Sequence, residues 1–312
     1  MTGAGRGRGY YGRPVLKAPV WKPAIALYFF TGGLAGASST LAVGARLSGH
    51  RRLARSAVLT SLAGIAASMP LLIVDLGRPG RFANMLRVAK PTSPMSVGSW
   101  ILAVFGPASA AAAVSEVTGL LPGTGQVAGV VAGLLGPAVA TYTAVLVTDT
   151  AIPAWHGAHR ELPFFFVGSA AASAAGAAMV FTPSGDAGPA RRLAAIGAAI
   201  ELASFRAMRS ALGDVAGPYR DGQAGRLARA AEACTVSGAA LAVAGARRRR
   251  SVAVAAGALL SAGSVLARFA VFRAGFESAA DPAATIGPQR RRVESHPDHA
   301  AGENGLSTPT PA

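Results

Sequence analysis

Cysteine is all but missing. Cys234 is the only one in 312 residues, so the chain closes no disulfide within itself. One thiol also cannot hold an iron–sulfur cluster, which takes about four thiolates. The residue reads as a small packing side chain. Histidine occurs five times, at His50, His156, His159, His296 and His299, and none lies inside an apolar run. A haem ligated within a helix bundle is therefore not expected, and neither is a bound metal. Charge is scarce as well: Asp, Glu, Lys and Arg make up 14%, where a soluble domain carries about 25%.

Long apolar stretches fill the space that charge leaves. Hydrophobic residues are 51% of the chain, and mean hydropathy is +0.40. A bilayer core demands roughly 20 apolar residues per helical span. Barrel strands alternate over about 10 residues and need polar lumen positions, whereas these runs are continuously apolar and rich in Ala, Leu, Val and Gly. Small residues let helix backbones approach closely in lipid. The expected fold is all-α, a polytopic membrane bundle of about eight transmembrane helices. The spans fall at about 24–45, 56–74, 99–118, 126–148, 163–181, 193–212, 228–246 and 251–272. The sixth and seventh are weaker, because Glu201, Arg206 and Glu232 lie in or near them. Three regions result: a basic disordered flank over 1–23, the bundle over 24–273, and a disordered polar tail over 274–312. The first apolar run begins near Ala24 and is too long for the apolar part of a cleavable signal. No internal repeat is evident.

The net charge of +16 invites a nucleic-acid reading, and the Gly/Arg segment from Thr2 to Arg13 faintly resembles an RNA-binding tail. The basic residues, however, sit between spans, where anionic lipid and topology rules account for them; no nucleic-acid partner is expected. Eight spans put both termini on one side, called side A here. Side A collects nineteen Lys and Arg, and side B ten, with Arg268 inside the last span. That bias places side A, and both termini, in the cytoplasm. The Arg247–Arg250 run on side B opposes it.

Two segments are the most informative: Asp75-Leu76-Gly77-Arg78-Pro79-Gly80-Arg81-Phe82, and Ser93-Pro94-Met95-Ser96-Val97-Gly98-Ser99-Trp100. Asp75 sits at a hydrocarbon boundary, where an ionised carboxylate is costly unless paired. Arg78 is close enough to pair with it or to bind a partner's acid. Two readings stand side by side: a structural turn capped by an ion pair, or a proton-handling carboxylate.

With these segments the sequence resembles the NrfD-type membrane subunits of polysulfide reductase and related molybdenum or iron–sulfur oxidoreductases. The resemblance extends to Pro19-Val20-Trp21, Tyr28-Phe29-Phe30, Gly32-Gly33-Leu34-Ala35-Gly36, Tyr142-Thr143 and Pro153-Ala154-Trp155-His156. It implies an eight-helix subunit in a bacterial cell membrane that binds menaquinone or ubiquinone. It also implies a ferredoxin-like iron–sulfur subunit docked on this chain, with a molybdopterin catalytic subunit beyond. Such subunits hold quinone between the partner-facing ends of the first and fourth spans. The candidate quinone residues are Tyr142, Tyr28, Trp21 and His156, all toward side A. The candidate proton-transfer residues are Asp75, Glu201 and Glu232, and Arg78 and Arg81 are candidates for partner docking. Some family members place a His or Asn at the start of the first span. Here Trp21, Lys22, Pro23, Ala24 and Ile25 occupy that stretch, so the second quinone ligand stays unassigned.

Each candidate has a plainer counterpart. Tyr142 also fits an interfacial aromatic belt, His156 a solvated loop, and Trp21 and Trp155 simple interfacial anchors. Glu201 also fits a buried ion pair with Arg206 or Arg268. A purely structural anchor and a secondary transporter are the rival functions.

Overall fold

The computed structural model describes residues 16–77, 79–247 and 249–284. The basic Gly/Arg segment, Arg78 and the chain from 285 onward lie outside the described residues. The described chain is all-α: α1 (Ala24–Leu47), α2 (Arg51–Leu76), the short α3 (Pro79–Met85), α4 (Pro94–Thr118), α5 (Pro122–Thr148), the single turn α6 (Pro153–His156), α7 (Leu162–Phe181), α8 (Gly188–Leu212), the single turn α9 (Gly217–Arg220), α10 (Gly222–Ala244) and α11 (Arg250–Ala280). No strand occurs among the described residues.

Eight of these helices are long, and seven are apolar enough to cross a membrane. The exception is α8, in which Arg191, Arg192, Glu201, Arg206 and Arg209 dilute the apolar residues. The last helix runs to Ala280 rather than ending at 272. Glu277 explains the extra turns, since its Oε1 accepts the backbone N–H of Ala224 at 3.1 Å. This carboxylate supplies the first turn of α10 with an acceptor that α10 lacks locally.

The packing repeats itself. In the first half, α1 packs on α2 and α5, α4 on α5, and α2 on α4; in the second, α7 packs on α8 and α11, α10 on α11, and α8 on α10. The chain is thus two four-helix bundles built in the same order, joined where α1 meets α7 and α11. The repeat extends to the crossings. A Cβ at Gly36 would strike the carbonyl of Gly136, and a Cβ at Gly136 the carbonyl of Gly36; Gly176 and Gly257 meet in the same reciprocal way. With hydrocarbon outside as apolar as the core inside, such close backbone approach is what holds membrane helices together. Hydroxyls add to it: Ser39 Oγ donates to the carbonyl of Ala132 at 2.9 Å, and Thr40 Oγ1 to that of Gly133 at 3.0 Å, both from α1 to α5.

Candidate functional site

The side-A end of the first half begins with a turn. Gly77 ends α2 in the left-handed region, at φ 76°, and its N–H bonds the carbonyl of Ile73 at 3.1 Å. Only glycine takes that conformation without cost. Just before the turn, Asp75 Oδ1 accepts the backbone N–H of Lys22 at 2.8 Å, while Lys22 Nζ donates to the carbonyl of Val74 at 2.9 Å. The segment before α1 is thereby clasped to the end of α2. Arg81 Nη1 donates to the carbonyl of Leu76 at 2.9 Å and satisfies a terminal carbonyl of the same helix. Arg78 lies outside the described residues; among those described, Asp75 bonds the main chain of Lys22.

The clasp positions an aromatic cluster. Trp21 stacks on Trp155, with ring centroids 5.2 Å apart and planes at 26°, and meets Phe29 edge-on at 6.3 Å. Trp155 is buried; its Nε1 donates to the carbonyl of Val271 at 2.7 Å, and its indole fills the space that a Cβ at Gly275 would take. Tyr28 is buried beside Phe29, which in turn faces Phe166. His156 turns Nδ1 toward the carbonyl of Thr148 at 3.1 Å, closing the end of α5, and its ring stacks on His159.

Tyr142 lies two turns inside the side-A end of α5. Its ring lies over Gly98 of α4, where a Cβ would come within 2.5 Å of ring carbons. Its hydroxyl is buried and has no hydrogen-bond partner among the described residues, as is true of Thr143 Oγ1 beside it. Tyr142, Tyr28, Phe29 and Trp155 belong to one continuous apolar core, against which Trp21 packs. Ring contacts thus join Trp21, Tyr28, Phe29 and Trp155, while the contact shown for Tyr142 is the one with Gly98.

Glu201 and Glu232 are elsewhere, in the second half. Glu201 is buried mid-helix; its Oε1 accepts from Thr235 Oγ1 at 3.2 Å, and its Oε2 has no hydrogen-bond partner among the described residues. Neither expected cation pairs with it directly. Arg206 is exposed on the far face of α8. Arg268 is buried, donates through Nη2 to the carbonyl of Phe166 at 2.8 Å, and lies 3.7 Å from the Phe166 ring centroid. Glu232 pairs with Arg209 at 3.6 Å. Glu201 and Glu232 line one small void of about 10 Å³, the size of a single water.

Sequence reasoning missed the Lys22 clasp, the Tyr142–Gly98 contact and the Arg268–Phe166 pair. Gly98 and Lys22 stood within or beside the quoted motifs, but their partners are distant in sequence. No group of three or more His, Cys, Asp or Glu side chains gathers among the described residues.

The family model described as "Polysulphide reductase, NrfD" matches residues 15–184. No curated protein matches the chain.

Proposed function

The chain belongs to the polysulphide reductase, NrfD, family and is a membrane-anchoring subunit of a redox complex; from that premise we propose that it exchanges electrons between membrane quinone and an iron–sulfur partner on side A. The quinone is menaquinone or ubiquinone, the partner is a ferredoxin-like subunit, and a molybdopterin subunit beyond it carries the catalytic centre. The setting is a bacterial cell membrane, with both termini cytoplasmic.

The observation that carries this reading is the Tyr142 hydroxyl. A buried hydroxyl without a partner costs about 1–3 kcal/mol, a cost that a ligand acceptor would offset. Here it lies near one end of a membrane helix, in the same extended apolar core as Tyr28 and Trp155. Bound quinone supplies two-electron, two-proton chemistry. Tyr142 donates a hydrogen bond to one quinone oxygen. Trp21, half-buried at the entrance, keeps one face for the head group, and Tyr28 and Phe29 exclude water from beneath it. His156 holds the end of α5 and stands near enough to the surface to pass protons.

Asp75 has one oxygen on the Lys22 N–H, and its other oxygen, which no bond engages among the described residues, takes a proton from side A. Glu232 and Glu201, which line one void with room for a single water, form a second, separate proton path in α8 and α10. Arg81, with the exposed Arg87 and Lys90, presents a basic surface to the docked partner. The Asp75 assignment is tested by comparing two variants in the assembled complex. Asp75→Asn keeps an acceptor for Lys22 and loses the proton site, so assembly survives and quinone-linked turnover falls. Asp75→Ala releases the clasp and lowers both. Full turnover in Asp75→Asn would leave only the structural role.

A purely structural anchor is the second reading. It is favoured by the Trp21–Trp155 stack, in which each ring covers a face of the other. Inhibitor-protection of the purified chain by added quinone separates the two.

A further inference from the structure

A cleft of about 840 Å³ opens between the two halves, on the side-B face away from Tyr142. Its walls come from α2 and α7, with Thr31 and Leu34 of α1 behind. It runs along α2 from Arg52 to Ala67, about 22 Å at 1.5 Å per residue. That is somewhat more than one leaflet of a hydrocarbon core about 30 Å thick. The interior is overwhelmingly apolar, and Phe181 at its lip is exposed. Three of its four hydroxyls are already engaged: Thr31 with Ser68 at 2.8 Å, Ser56 with Thr182 at 2.6 Å, and Thr60 with the carbonyl of Ser56 at 2.8 Å. The slot offers a polar head group little beyond the Ser261 hydroxyl of α11, whereas its apolar walls suit a hydrocarbon chain. A spanning helix, about 10 Å across and 30 Å long, occupies on the order of 2,000 Å³, more than the cleft holds.

The mouth is cationic. α2 opens with Arg51, Arg52 and Arg55, and no acid stands in its first turn. Cations are disfavoured at a helix N-terminus, so an anion should sit nearby. The protein supplies one acid to this group, Asp186 to Arg52 at 3.3 Å, and Arg55 has no ion-pair partner among the described residues.

We propose that the α2–α7 cleft binds one anionic phospholipid from the side-B leaflet, its acyl chains along Leu59, Ala63 and Ala67 and its phosphate between Arg52 and Arg55. The lipid fills the gap between the halves, and its single negative charge offsets the Arg55 cation that no protein acid pairs among the described residues.

The test uses the full chain, purified in mild detergent, delipidated, and examined by native mass spectrometry and thermal unfolding. The probes are dioleoyl phosphatidylglycerol, dioleoyl phosphatidylcholine, inorganic phosphate and menaquinone. Phosphatidylglycerol should bind one per chain and raise the midpoint, while phosphatidylcholine and phosphate should not. The double variant R52Q/R55Q should bind it about tenfold more weakly or worse. Ala63→Phe, which fills the slot without touching charge, should abolish the adduct while the chain stays folded. Equal binding of the two lipids, undiminished binding in both variants, or stoichiometric displacement by menaquinone would each overturn the assignment. Binding of phosphate alone would reduce the site to a surface anion contact.

Discussion

Replacing Tyr142 by Phe should improve the fold and impair the function. The hydroxyl is buried without a partner, and the ring lies over Gly98, so Phe occupies the same space. Removing an unpaired buried hydroxyl relieves about 1–3 kcal/mol. Each kcal/mol raises the midpoint of a 150–250-residue domain by about 2–4 °C, and a bundle of this length should respond at the low end. The same change deletes one hydrogen bond to quinone, worth about 0.5–1.5 kcal/mol, or about two- to thirteenfold in affinity. The two effects have opposite signs, which no general disturbance of packing reproduces. Thermal unfolding of the quinone-depleted chain reads the first, and a quinone titration of turnover in the whole complex reads the second. A variant of lower stability with unchanged quinone KM would refute both parts of the reasoning.

Gly98→Ala pushes on the same ring without removing the hydroxyl. A Cβ 2.5 Å from ring carbons must gain about 1 Å to reach ordinary contact, and a displacement of that size costs up to about 100-fold in turnover; unchanged kcat/KM would separate Tyr142 from the site. Gly275→Ala drives a methyl into the Trp155 indole, straining packing by about 1–3 kcal/mol and breaking the Val271 hydrogen bond for about 1 more. The readouts are a fall in the unfolding midpoint and altered tryptophan fluorescence. Glu201→Gln keeps an acceptor for Thr235 and removes the proton site. In proteoliposomes it should lower the protons moved per electron while leaving electron transfer itself intact, and an unchanged ratio would exclude Glu201 from any proton path.

Span positions were legible because the bilayer imposes them: uninterrupted apolar runs marked every long helix to within a few residues at most ends. The larger discrepancies have local causes. α8 reads poorly because its charges are sorted onto different surroundings, Glu201 inward and Arg206 outward, a distinction that average hydropathy erases. α11 outran its expected end because Glu277, polar in sequence, serves α10 rather than water. The gathering of Trp21, Tyr28, Tyr142 and Trp155 on side A followed from counting spans. Their contacts did not: Trp155 meets Gly275 and Val271 about 120 residues away, and nothing local in Gly275 announces a partner. The twofold order of packing was invisible because matching crossings reuse only glycines, Gly36 with Gly136 and Gly176 with Gly257, in otherwise different sequence.

The charges on α8 bear on how the protein is made. An acid near the centre of an inserting helix, as Glu201 is in α8, costs about 2.5–3.5 kcal/mol on the scale for Asp, so α8 is ill suited to leave the translocation channel alone. Its backbone touches α7 where Gly168 and Gly197 face one another, each too close for a Cβ on the other. α7, the most enclosed of the seven apolar spans, is placed to escort it. Insertion of the two as a hairpin is the expected order, and a ribosome-bound chain truncated before α10 should leave Glu201 without the Thr235 hydroxyl that it accepts from in the finished fold.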